Sequence, residues 1–97
     1  MERRQYDLQL NVNGHRIEKV IIDPHYEKKH KSSLNDKLIL ELVKDLDGGR
    51  FPAVGKDGPY EYFATDNIFH NGKRYKLIWL MEDNALYIGV INAYRRK

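Results

Sequence analysis

The sequence contains no cysteine. This absence excludes disulfide bonds, a thiolate nucleophile, iron–sulfur clusters and zinc sites built on sulfur. No apolar run approaches the roughly 18 residues of a membrane-spanning helix, and no apolar signal segment follows Met1-Glu2-Arg3-Arg4. We therefore expect a soluble, cytoplasmic protein without a membrane partner, stabilised by its hydrophobic core alone.

Motifs for bound cofactors are also absent. The glycine-rich segments lack the Gly-Lys-Ser/Thr ending of a phosphate-binding loop. The spacing of His25 and His30 does not match the i, i+4 spacing of a zinc-binding helix. We therefore expect neither a metal nor another cofactor.

The net charge of +3 is small for a chain of 97 residues. Residues 1–31 carry seven basic and five acidic side chains, 32–94 carry seven and nine, and the chain closes with Arg95-Arg96-Lys97. Such a charge excludes histone-like coating of a nucleic acid but permits local basic patches. The positive charge is concentrated towards the two ends of the sequence.

Alternating apolar residues and turn signals predict five strands. The first alternation, from Tyr6 to Val12, precedes Asn13-Gly14, a typical two-residue hairpin turn. Asn71-Gly72 and Asp83-Asn84 are the corresponding signals late in the chain. The other predicted strands cover residues 15–22, 60–70, 73–82 and 85–94.

Two helices are predicted between these groups of strands. Asp23 and Pro24 suit the start of a helix over 24–31. Ser33 and Asp36 resemble a capping box for a second helix, which has leucines every fourth residue and ends at Gly48-Gly49. Residues 50–59 are predicted to form a loop. The sequence thus predicts a single α+β domain over 1–97, with two helices packed on a twisted antiparallel sheet in the order β-β-α-α-β-β-β.

A two-residue turn at Asp83-Asn84 would fix the register of the last hairpin. It predicts Trp79 opposite Ile88 and Tyr75 opposite Asn92, with Tyr94 on the same face. The opposite face would carry Arg74, Lys76, Ile78, Leu80, Tyr87, Gly89, Ile91 and Arg95. That mixture, with a glycine that leaves a hollow, suits a polyanion, although an ordinary solvated sheet face has a similar composition.

The first predicted helix carries the strongest candidate for catalysis. At 100° per residue, His25, Tyr26, Lys29 and His30 lie on one side of it. Two histidines can act as the base and the acid of one proton-transfer cycle, and a lysine can stabilise an anionic phosphorane. RNA cleavage by the ribose 2′-hydroxyl needs those three roles and no metal. The competing interpretation is an ordinary solvated helix, since i, i+5 is not a contact spacing.

The end of the sequence is the better candidate for binding nucleic acid. Tyr94 offers a ring for stacking beside the cations Arg95 and Arg96. The residues predicted to contact RNA are Lys28, Lys31, Asn92, Tyr94, Arg95 and Arg96, and Tyr75 is placed with the catalytic residues His25, Lys29 and His30. A charged terminus can also serve only solubility.

Two segments resemble the superfamily of barnase, EndoU, colicin ribonucleases and RelE-type toxins. The His25-x-x-x-Lys29-His30 segment is similar to a His-x-x-x-Arg helix of small domains in that group, and 72–95 resembles the final hairpin of RelE-like and MqsR-like toxins. The resemblance implies metal-independent RNA cleavage and a cognate antitoxin or immunity partner. This chain differs by its additional first hairpin and by having both histidines on the first helix.

The sequence therefore predicts a toxin-type endoribonuclease, a hydrolase whose partners are RNA and an antitoxin or inhibitor protein. The alternative is a non-enzymatic binding module, such as an inhibitor or immunity-type protein. The alternative predicts binding that weakens with salt, without RNA cleavage.

Overall fold

The computed structural model describes residues 2–97. Within them the chain forms six strands, two α-helices and one 3₁₀ turn at Pro24–Tyr26. The elements are β1 (Arg4–Val12), β2 (His15–Ile22), α1 (Glu27–His30), α2 (Asp36–Lys44), β3 (Gly55–Asp57), β4 (Tyr60–His70), β5 (Lys73–Glu82) and β6 (Tyr87–Arg96). The α+β class predicted from the sequence is confirmed. No helix in the described part of the chain is long and apolar enough to cross a membrane.

The sheet is mixed, where the sequence predicted an antiparallel one. Its strand order is β1-β2-β6-β5-β4-β3, and β2 pairs with β6 in parallel from Lys19–Tyr87 to Ile22–Val90. The helical segment after β2 carries the chain across the sheet, so the last strand enters between the first hairpin and β5. Residues 55–57, expected in a loop, instead add the short edge strand β3 along β4.

The hairpin turns were predicted correctly at two of three positions. Asn13 and Gly14 have φ of 55° and 76°, and Asn71 and Gly72 have φ of 51° and 75°, as a two-residue turn with positive φ requires. The third connection spans four residues, 83–86, rather than two. This longer loop shifts the pairing of β5 and β6 by two residues, so Trp79 lies opposite Val90.

A β-bulge at Ile91 changes the faces of the end of β6. Trp79 pairs with Val90 but Ile78 pairs with Asn92, so Ile91 has no partner on β5. Since one extra residue reverses the alternation, the side chains after it change sides. Ala93 and Arg95 pair with Leu77 and Tyr75 on the helix side, while Asn92 and Tyr94 move to the opposite face. The predicted common face for Tyr75, Asn92 and Tyr94 is therefore wrong.

The helices are shorter than predicted, and one cap differs. Asp23 does cap the first helical segment, since its Oδ1 accepts a hydrogen bond from the His25 amide at 2.9 Å. That segment is the 3₁₀ turn followed by the single turn of α1. The cap of α2 is Asn35 rather than Ser33: Asn35 is extended and its Oδ1 accepts from the Leu38 amide at 2.8 Å.

The hydrophobic core lies between α2 and one face of the sheet. Along β5, buried residues alternate with half-buried ones, so only one face is covered. Trp79 is at the centre of the core: it stacks on Phe63 with ring centroids 4.1 Å apart, and its Nε1 donates to Thr65 Oγ1 at 2.9 Å. The buried residues that α2 contributes are Ile39, Leu42 and Val43. The opposite face, here called the open face, carries Arg74, Lys76, Ile78, Leu80 and Glu82 along β5.

Candidate nucleic-acid interface

The predicted catalytic segment lies on the 3₁₀ turn and α1. Tyr26 anchors this segment, because only 2% of its surface is exposed. His25 and Lys29 are exposed on either side of it, and His30 is half-buried. Lys28 and Lys31, predicted to contact RNA, are exposed as well. The segment therefore presents cations and imidazoles around a buried tyrosine.

His30 lies against the end of the last strand. Its imidazole ring stacks on the ring of Tyr94, with centroids 5.5 Å apart and planes inclined by 28°. Stacking uses the face of an imidazole, so the two ring nitrogens at its edge can still form hydrogen bonds. The structure thus brings together one histidine of the first helix and the aromatic residue at the end of the sequence.

Tyr75 and Asn92 were expected beside Tyr94, but the structure does not place them with His30 and Tyr94. Tyr75 lies on the helix side of β5 with 3% of its surface exposed. Asn92 is half-buried beside the bulge, where its Oδ1 accepts a hydrogen bond from the Ala93 amide at 2.9 Å. The physical reason is the extra residue Ile91, which separates the faces of Tyr75 and Tyr94.

Five cations converge at the turn between β4 and β5. This surface, here called the cationic end, comprises Lys73, Arg74, Arg95, Arg96 and Lys97, which line a depression of about 460 Å³ with Phe69. Antiparallel pairing places Arg74 opposite Arg96, and Arg74 Nη2 donates to the Lys97 carbonyl at 3.1 Å. Asp66 Oδ2 lies 3.5 Å from Arg96 Nη2. Four of these cations are exposed, and so is 64% of Phe69.

The sequence analysis did not assign Lys73 and Phe69 to this surface. Both flank the Asn71-Gly72 turn, and the pairing of β5 with β6 brings that turn beside the end of the chain. The sequence did contain a signal for this surface. When three antiparallel strands follow one another, the turn between the first two lies beside the end of the third, which here is β6. Arg74 was predicted on the open face, and the structure places it there. Arg95, predicted on the same face, instead pairs with Tyr75 on the helix side, because the bulge at Ile91 reverses the alternation.

A hollow in the open face lies farther along the same strands. We call it the tyrosine hollow; its volume is about 520 Å³, and its lining includes Tyr60, Tyr62, Tyr87, Leu80, Gly89, Ile21 and Ile91. A Cβ atom on Gly89 would come within 3.0 Å of Leu80 Cδ1, so glycine keeps the floor low. The hollow that the sequence predicted around a glycine is thus confirmed.

Polar groups border the tyrosine hollow. Arg3 Nε lies 3.5 Å from Asp23 Oδ2 at its rim. The Tyr87 hydroxyl donates to Glu82 Oε1 at 2.8 Å. Burial and this hydrogen bond raise the pKa of Tyr87 to about 12, so the hydroxyl stays protonated at neutral pH. The hollow thus combines aromatic walls with an arginine and two carboxylates that already have partners.

A carboxylate network positions the histidine segment. Asp36, the first residue of α2, accepts hydrogen bonds from Arg4, from the hydroxyl of Tyr6, and from the hydroxyl of Tyr26 at 2.7 Å. Arg4 Nη1 also lies 3.6 Å from Glu27 Oε1. The network connects β1, the 3₁₀ turn, α1 and α2. It therefore fixes the element that carries His30 relative to the sheet.

The electrostatics of this network follow from its hydrogen bonds. The hydrogen bond from Arg4, with those from Tyr6 and Tyr26, lowers the pKa of Asp36 to about 2, although burial opposes the change. Burial and the hydrogen bond to Asp36 raise the pKa of Tyr26 well above its ordinary value. Sequence reasoning missed the network because its residues are far apart in the chain. Asp36 was interpreted only as part of a capping box.

Residues 2–97 contain no group of three or more His, Asp or Glu side chains that could hold a metal ion. Comparison of the chain with protein-family models, with curated proteins and with solved structures finds no significant match.

Proposed function

We propose that this protein is a toxin-type endoribonuclease that binds RNA at the cationic end and cleaves it without a metal. The observation that carries the proposal is the stack of His30 on Tyr94. The stack holds an imidazole, a side chain suited to proton transfer, against Tyr94, which Arg95 and Arg96 of the cationic end follow in the chain. A base or acid and a phosphate site are the first requirements of such a reaction.

The reaction has three chemical demands. The ribose 2′-hydroxyl gives its proton to a base while its oxygen attacks the adjacent phosphorus. The bond from phosphorus to the 5′-oxygen then breaks, and that oxygen takes a proton from an acid. We assign one of these two proton transfers to His30 and the other to His25, and we assign charge stabilisation of the phosphorane to Lys29.

The surrounding residues supply binding. The cationic end attracts the phosphate backbone, and Tyr94 and Phe69 offer rings for bases. Lys28 and Lys31 extend the positive surface along the histidine segment. Tyr75 has no place among the groups that touch substrate in this proposal, because it lies in the core.

The test is cleavage of RNA in EDTA by purified variants. We expect His30→Ala to reduce the rate by about a hundredfold or more, the usual contribution of a general acid or base. His15→Ala is the matched control, since His15 is exposed at the β1–β2 turn on another part of the sheet. A His30→Ala protein that is folded and cleaves at the wild-type rate would overturn the proposal.

An RNA-cleaving protein in the cytoplasm would need control. We propose a cognate antitoxin or inhibitor protein with an acidic surface that covers the cationic end. Its binding should weaken as salt increases and should compete with RNA.

The second candidate function is a non-enzymatic binding module. The open face favours it, because aromatic and apolar side chains there surround a hollow that contains none of the predicted catalytic groups. Salt-dependent binding of RNA, with no cleavage by the wild-type protein, would support this function over the ribonuclease.

A further inference from the structure

The open face forms one continuous strip from the tyrosine hollow to the cationic end. Four neighbouring pairs of residues follow one another on β5 and β6: Leu80–Gly89, Ile78–Asn92, Lys76–Tyr94 and Arg74–Arg96. Six residues of an extended strand span about 20 Å. Over these four pairs the side chains of the strip change from apolar and aromatic to cationic.

We propose that the tyrosine hollow binds a base of the same RNA strand whose phosphates lie on the cationic end. This inference rests on the proposed function for the identity of the strand, but it assigns a separate binding site to the hollow. Sequence-tolerant recognition of single strands combines a positive track for the backbone with aromatic rings for the bases. The strip has both components: the cationic end for the backbone and the tyrosine hollow for a base.

The shape and chemistry of the hollow fit a nucleobase. A planar ring can enter because Gly89 has no side chain, and Tyr60, Tyr62 and Tyr87 surround it. Its volume of about 520 Å³ is within the range of small-molecule sites and leaves room for a base with its sugar. The Arg3–Asp23 pair at the rim offers a donor and an acceptor to the edge of a base.

Charge distinguishes the strand from a free apolar ligand. Each acidic side chain identified beside the strip has a partner: Asp23 pairs with Arg3, Glu82 accepts from Tyr87, and Asp66 lies near Arg96. The arginines and lysines of the cationic end remain largely exposed. The end of the strip thus complements a polyanion, and the hollow complements the uncharged part of the same molecule.

The experiment measures binding with a probe that cannot be cleaved. We would use a fluorescent 2′-O-methyl oligonucleotide of mixed sequence, which has no 2′-hydroxyl to attack the phosphate, and the same backbone with abasic positions. The wild-type protein should bind the base-containing probe more tightly by about fivefold to about a hundredfold for each stacked base. Failure of catalysis leaves this preference intact, so the two proposals fail separately.

Two variants assign the preference to the hollow. Gly89→Val fills the floor, and Gly55→Val is its control, because a Cβ at Gly55 meets nothing within 4 Å. Tyr62→Ala removes one wall and provides the answer if Gly89→Val does not fold. Both hollow variants should lose the preference for bases and keep the affinity for the abasic probe, whereas Gly55→Val should behave as wild type.

Three results would overturn the inference. In the first, the wild-type protein binds both probes equally. In the second, the preference survives in folded Tyr62→Ala and Gly89→Val. In the third, a free nucleoside monophosphate binds as tightly as the oligonucleotide, which would identify the hollow as a site for a small ligand rather than for a strand.

Discussion

Replacing Asp36 by asparagine should remove a defined part of the acid sensitivity of this fold. Asp36 accepts hydrogen bonds from Arg4, Tyr6 and Tyr26, and its pKa is lowered from 3.8 to about 2. A group with a lowered pKa stabilises the folded state above its unfolded pKa. That contribution is lost as the pH falls from about 4 to about 2.

The magnitude follows from the pKa change and from solvent screening. A fall of the pKa from 3.8 to about 2 corresponds to at most about 2.5 kcal/mol in the free energy of unfolding. The Asp36 side chain is 15% exposed but that of Arg4 is 37% exposed, so screening lowers the figure to about 1 kcal/mol. We therefore expect Asp36→Asn to be less stable than wild type by about 1 kcal/mol at pH 7.

The assay is urea denaturation of both proteins at pH 7, 4 and 2. The difference in the free energy of unfolding should shrink towards zero at the lowest pH, where Asp36 is neutral in the unfolded chain and about half protonated in the folded protein. Asp57→Asn is the matched control, since Asp57 is exposed at the end of β3. A difference that stays constant with pH, or no difference at pH 7, would refute the reasoning.

Two further predictions concern side chains that hold the sheet and its loops together. Thr65→Val keeps the shape of the side chain but removes the acceptor of Trp79 Nε1, so the free energy of unfolding should fall by about 1–2 kcal/mol. An unchanged thermal midpoint and unchanged tryptophan fluorescence would contradict that. Asn13→Ala should cost about 2–3 kcal/mol, because Asn13 has φ of 55° and its side chain bonds both the amide and the carbonyl of Phe51. Asn13→Gly tolerates the positive φ and loses only the hydrogen bonds, so chemical denaturation should place it between wild type and Asn13→Ala.

The strands and their turns could be predicted because their signals are local. Alternation of apolar residues and the Asn-Gly dipeptides depend only on neighbouring residues, and both were confirmed. The register of β5 and β6 depends on the length of the loop between them. Asp83-Asn84 suggested a two-residue loop, whereas the loop has four residues, 83–86. The bulge at Ile91 and the parallel pairing of β2 with β6 are tertiary features without a local signal.

Part of the candidate site could be predicted, because its signals are also local. The sequence placed a histidine helix and a cationic strand end near each other, and the structure joins them through His30 and Tyr94. It could not identify the Asp36 network, because hydrogen bonds among β1, α1 and α2 depend on how the elements pack. Tyr75 lies on the predicted face, but Asn92 and Tyr94 were predicted on the wrong one, because the bulge at Ile91 reverses the alternation of β6.

The last of the six strands in sequence, β6, lies in the middle of the sheet. β6 connects the β1–β2 hairpin to the β3–β5 strands, so neither part has its central neighbour until β6 is in place. Contacts between residues so distant in sequence form slowly, because a long loop must close first. A nascent chain has His30 long before it has Tyr94. The stack of His30 on Tyr94 therefore forms late in folding, because Tyr94 lies on β6.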